Sequence, residues 1–151
     1  EIPLRLVGSE MCIRDRGITV PIIGGDGWDS PKLVEIAGAS SLNNTYFTNH
    51  YSPDSTNEAS KAFVDTYAKT YKQKPDAPAV LGYDGAMLLA DSIKRAGVYE
   101  SAKVAEALAA TKDFQAVTGK TSLDASHDAV KSAVIVGFKD GKQVYRATVN
   151  P

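Results

Sequence analysis

Residues 17–38 read GITVPIIGGDGWDSPKLVEIAG and hold a complete strand–loop–helix unit. The β-branched run 18–23 reads as a buried strand, and Pro21 points to an edge or a bend because it cannot donate to a ladder. Gly24, Gly25, Asp26 and Gly27 break that run. Ser30 then supplies an N-cap and Pro31 a first-turn proline for a short helix carrying Leu33, Val34 and Ile36. Gly38 stands where a helix ends. A strand passing to a helix through a glycine loop is the repeating unit of an α/β sheet.

Downstream, TYFTNHY (45–51) reads as a second strand, closed by Ser52-Pro53-Asp54. Ser55 and Glu58 form a capping box for a helix whose apolar face is Ala59, Phe63, Tyr67 and Tyr71, with Ala62 and Val64 beside it. On that face the two tyrosines are expected in the core. After a loop at 73–78, a long amphipathic pattern runs from Ala79 through Met87, Leu88 and Ile93 to a stop at Gly97. Ser101 caps a short alanine-rich helix. The last third is strand-like at 117–123, 132–138 and 143–149, and Asp140-Gly141 is a hairpin signal between the last two. The class is α/β, but two early strands are too few to cover both faces of a parallel sheet. The sheet reads as incomplete, like the tail of something larger.

Composition narrows the function. The 151 residues are 43% hydrophobic, enough for a real core. Seventeen basic and eighteen acidic residues leave a net charge of −1 without a basic block, which argues against nucleic acid as a partner. No apolar run reaches the ~18–20 residues that cross a bilayer. Charges interrupt every apolar stretch of residues 1–16, so they do not read as a signal peptide. The one cysteine, Cys12, makes neither an internal disulfide nor a metal site.

Asp26 is the side chain most suited to chemistry. It lies just past a strand and just before a helix, the edge at which open α/β sheets bind ligands. Gly25 and Gly27 would let a ligand approach the backbone, Asp26 would hold a cation, and Trp28 would offer an apolar or cation–π wall. A second reading stays open, in which Gly-Asp-Gly is only a turn and Asp26 bonds its own backbone. The loop is neither GxGxxG nor a Walker loop, so it implies no nucleotide cofactor. His50, beside Tyr46, Phe47 and Tyr51, reads as part of an aromatic strand packed on a helix. His127 falls in a polar turn with Asp124 and Asp128. Neither histidine has metal-ligand spacing. Tyr83 and Asp84, read as lying near a helix start, either face a cleft or provide a first-turn acid favoured by the helix dipole.

Five stretches in order carry a family resemblance: residues 17–38, TYFTNHYSPD (45–54), PDAPAVLGYDGAMLLADSIKRAG (75–97), LAATKDFQAVTGK (108–120) and KDGKQVY (139–145). From Gly17 onward the chain resembles the C-terminal part of bacterial substrate-binding proteins of the branched-chain amino-acid type, which serve ABC importers. The resemblance implies a partial type I periplasmic-binding-protein fold: two Rossmann-like α/β lobes joined by crossover strands, with the ligand in the cleft between them and the N-terminal portion missing. Residues 17–48 and about 132–151 would belong to the C-terminal lobe and about 54–123 to the N-terminal lobe, with 46–53 as a crossover. It also implies that Asp26 pairs with the ligand α-ammonium, with Gly25, Gly27, Trp28 and Tyr83 near the ligand and no cofactor or metal. Pro78 stands where relatives often carry an aromatic against the ligand side chain. The implied function is non-catalytic: a monomeric, extracytoplasmic binding protein, periplasmic or lipid-anchored, that delivers an amino acid to a membrane permease and ATPase. A ligand-sensing domain on the same fold is the alternative, and an enzyme using Asp26 lacks a partner acid, histidine or metal set in the sequence.

Residues 1–16, EIPLRLVGSEMCIRDR, match no part of that family and resemble the readthrough of a transposase mosaic-end sequence used in sequencing libraries. They are expected to be a translated adapter, and Cys12 to carry no function.

Overall fold

The computed structural model describes residues 12–52, 54 and 58–151. In chain order the elements are β1 (Ile22–Gly24), a 3-10 turn (Asp26–Trp28), α1 (Pro31–Ala37), β2 (Thr45–Asn49), α2 (Glu58–Tyr71), α3 (Ala77–Ala96), α4 (Ser101–Ala109), β3 (Phe114–Ala116), β4 (Gly119–Leu123), β5 (Ala129–Lys131), β6 (Ala133–Lys139) and β7 (Lys142–Val149). They divide into two compact units, Glu1–Asp54 with Ala133–Val149, and Ser55–Ser132 with Asn150–Pro151. Among the described residues no helix is long and apolar enough to cross a membrane.

The first unit is built on a sheet of order β1-β2-β6-β7. β1 and β2 run parallel, and β6 is antiparallel to both β2 and β7. Alternation along β2 turns Thr45, Phe47 and Asn49 inward. Spacing along α1 turns Leu33 and Ala37 to the same side. These meet Trp28, Leu42, Val134, Val136 and Phe138 in one core, where the Phe47 and Phe138 rings stack at 5.6 Å. Asp140 (φ 52°) and Gly141 (φ 75°) make the tight β6–β7 hairpin that their pairing in the sequence predicts. Ser30 caps α1 as expected, its Oγ accepting the Lys32 N–H.

The strand expected over 18–23 is shorter and more exposed. Pairing begins at Ile22, whose N–H donates to the Asn44 carbonyl at 3.2 Å, because Pro21 has no N–H to offer. Ile18, Val20 and Ile23 are exposed, so the run is not a buried strand within this chain. Upstream, residues 12–15 form a helical turn. From it the Arg14 guanidinium donates to the carbonyls of Ile18, Val20 and Asn43 at 2.9, 2.9 and 3.0 Å.

In the second unit α3 packs against α4 and β3, beside a sheet of order β3-β4-β5. Asp76 caps α3 by accepting the Ala79 N–H at 3.0 Å, so the helix begins at Ala77 and includes Pro78 in its first turn. It stops at Gly97, in the left-handed conformation at φ 70°. Ser101 is the first residue of α4 rather than its cap; Glu100 stands in the cap position. The expected strand 117–123 begins two residues later, as β4; Val117 and Thr118 form the turn that joins it to β3, which lies upstream of the expected range. On α2 the aromatic side chains stack along the helix, but Tyr71 is 62% exposed, so that face is not core within its unit. The Ser55 half of the expected capping box lies outside the described residues.

Candidate functional site

β1 ends at Gly24 and β2 at Asn49, side by side and pointing the same way, with Gly24 paired to Phe47. Residues just beyond the two ends therefore meet. After Gly24 the chain closes a 3-10 turn in which Trp28 N–H donates to the Gly25 carbonyl at 3.1 Å and Asp29 N–H to the Asp26 carbonyl at 3.0 Å. Trp28 anchors the turn by burying its indole in the core at 8% exposure. A Cβ on Gly24 would stand 2.5 Å from that ring, so only glycine fits there. A Cβ on Gly25 or Gly27 would meet nothing within 4 Å. Among the described residues no packing demand requires those two glycines, and the peptide beside Asp26 lies open. Trp28 is placed as the support under this loop, with its ring in the core.

The Asp26 carboxylate projects from the turn, 64% exposed, with Oδ2 3.3 Å from Nε2 of His50. His50 is thus not packed in the strand as expected: it is the first residue past β2, and its side chain reaches across to Asp26. Its backbone N–H donates to Oδ1 of the buried Asn49 at 2.8 Å, which fixes the position from which the ring extends. Nearby, Asp29 Oδ1 accepts from Gln143 Nε2 at 3.0 Å. Tyr51 is buried, and its hydroxyl has no hydrogen-bond partner among the described residues. Burial, reinforced by the charges of Asp29 and Asp54, pushes its phenol up to about 12.

Tyr83 belongs to the second unit. It sits on α3, 44% exposed, with its ring 4.8 Å from that of Phe63. It lines an open groove of about 780 Å3 with Phe63, Tyr67, Tyr71, Met87 and Phe114. Asp84 is not a first-turn acid. It lies two turns into α3, buried, and accepts the N–H of Val117 at 2.7 Å, the N–H of Thr118 at 3.0 Å and the Thr118 hydroxyl at 2.7 Å. Lys131 Nζ donates to the same Thr118 Oγ1 at 2.6 Å. Burial pulls the Lys131 ammonium below its ordinary range, opposed by the charge of Asp84. The sequence signal for this anchor was an acid inside an apolar helical pattern, which in a folded core needs donors from elsewhere in the chain.

Among the described residues no group of three or more His, Cys, Asp or Glu is placed to hold a metal ion. His127 lies in the exposed turn before β5, and Cys12 is an exposed free thiol.

Residues 12–143 match the family described as "Periplasmic binding protein", so the match takes in Cys12 to Arg16 of the leader. A Leu/Ile/Val-binding protein homolog 2 of Brucella abortus (strain 2308) is 29% identical over 135 residues, covering 87% of this chain and 36% of its own length. A leucine-binding protein of Thermotoga maritima superposes with a TM-score of 0.87 at 36% identity, over 97% of this chain and 42% of its own. A branched-chain amino acid transporter substrate-binding protein of Streptococcus pneumoniae, solved with isoleucine, superposes with a TM-score of 0.82, also at 36% identity, over 98% of this chain and 42% of its own. The chain therefore spans well under half the length of these relatives.

Proposed function

The chain belongs to the periplasmic binding protein family, and from that membership we propose that its protein is the solute-capturing component of an ABC importer, with an amino acid, branched-chain or related, as its cargo. The observation that carries this reading is Asp26 itself: a fixed, solvent-facing carboxylate beyond the carboxyl ends of two parallel strands, flanked by glycine backbone that nothing among the described residues covers. A ligand ammonium leaving water needs such a partner, and a charge-assisted hydrogen bond to a carboxylate supplies it. Gly25 and Gly27 leave room for the ligand to reach Asp26. The binding of isoleucine by the Streptococcus pneumoniae relative supports an aliphatic amino acid as the cargo.

The two units support the assignment of residues 17–48 and about 132–151 to the C-terminal lobe, which carries Asp26, and of about 54–123 to the N-terminal lobe, which carries Tyr83. The role is non-catalytic, outside the cytoplasmic membrane, with the permease and ATPase as partners. Calorimetry of the whole protein against the twenty amino acids tests it. Tight binding of one or more aliphatic amino acids is the expected result, and no binding of any amino acid would reject it.

A further inference from the structure

Asp26 and His50 face each other at the mouth of the site, and each is held by a buried neighbour. Trp28 pins the turn under Asp26, and Asn49, only 4% exposed, fixes the backbone of His50. The side chains themselves are 64% and 42% exposed. An ion pair so open to water adds little to stability, so folding does not account for this arrangement. Binding does if Asp26 is the ammonium anchor, and the role assigned to His50 rests on that reading.

We propose that His50 is a positioning residue of the ligand site: through Nε2 it holds the Asp26 carboxylate in place for an incoming ammonium. A carboxylate offers about four acceptor positions, so one donor from the imidazole leaves room for the ligand. With the proton on Nε2 and Nδ1 bare, the neutral ring orients Asp26 and leaves its charge available. Among the described residues no lysine or arginine pairs with Asp26, so His50 is the side chain that orients it there. A ligand without an ammonium would not feel the loss of His50.

The test is calorimetry of leucine and of its analogue lacking the amino group, on the whole protein, for wild type, His50→Gln, His50→Ala and Asp26→Asn. His50→Ala is expected to bind leucine several-fold more weakly and the analogue as wild type does, and His50→Gln, which keeps a donor, should recover most of the leucine affinity. If His50→Ala binds leucine as wild type does while Asp26→Asn abolishes binding, the role of His50 is overturned and that of Asp26 stands. If Asp26→Asn binds as wild type does, the Asp26 reading fails and this proposal fails with it.

Discussion

Asp84 accepts the backbone N–H of Val117 at 2.7 Å across 33 residues of chain, so a buried acid on α3 holds the turn between β3 and β4. The same carboxylate takes both donors of Thr118. Asp84→Ala leaves these donors without their acceptor and removes the charge opposite Lys131. It should cost about 3–5 kcal/mol, the usual penalty for stripping one partner from a buried charged network. Lys131 adds a pH signature. Its ammonium is already pulled down by burial, and losing Asp84 pulls it further. The folded state then binds fewer protons than the unfolded state as pH approaches the ordinary lysine range, so the mutant should regain stability as pH rises. Denaturant titrations across alkaline pH check both statements.

Gly24 and Gly25 are neighbours with opposite demands. A methyl on Gly24 would stand 2.5 Å from two indole carbons of Trp28, whereas one on Gly25 would meet nothing within 4 Å. Gly24→Ala should destabilise by about 1–3 kcal/mol, as overpacking does, and shift the emission of Trp28, the only tryptophan. Gly25→Ala should leave stability within about 0.5 kcal/mol while weakening amino-acid binding. Fluorescence-monitored unfolding beside calorimetry separates the two.

Tyr51 should ionise near pH 12. Its folded value lies above its ordinary one, so the linked stability is present below about pH 10 and lost as pH rises toward about 12. That stability is on the order of 3 kcal/mol. Tyr51→Phe removes a buried hydroxyl that has no described partner, so its cost at neutral pH should stay under about 1 kcal/mol. The mutant should lose both the late tyrosinate absorbance and this part of the alkaline destabilisation.

The leader has its own test. Arg14 reaches four segments of carbonyls, at Ile18, Val20, Ser41 and Asn43–Asn44, so its removal would be felt locally if the leader is native. Amplification of the locus from source DNA should yield a different coding sequence upstream of Gly17 if residues 1–16 are adapter readthrough. A genomic read that encodes residues 10–17 unchanged would make them native.

Local chemistry was legible in the sequence where one residue decides the backbone: Ser30 at its cap, Gly97 at its stop, Asp140-Gly141 at its hairpin. Asp26 stood out for the same reason, as an acid between glycines at a strand end. What the sequence hid depends on partners far along the chain. Phe114–Ala116 is a strand only because it pairs with β4, and three residues carry too little period to show it. His50 meets Asp26 because β1 and β2 are parallel neighbours in a particular register, which no local pattern encodes. Tyr67 and Tyr71 followed a core spacing, yet within their unit that face is an open groove, because spacing marks a face without naming what covers it.

The central claim, that Asp26 anchors a ligand ammonium, is tested most directly by a double cycle in the whole protein. Leucine and its analogue lacking the amino group are titrated into wild type and Asp26→Ala by calorimetry. Leucine should lose about 2–5 kcal/mol in the mutant, the cost of unpairing a desolvated charge, while the des-amino analogue should be unaffected or bind slightly better. Equal losses for the two ligands, or none for leucine, would contradict the pairing and remove Asp26 from the site.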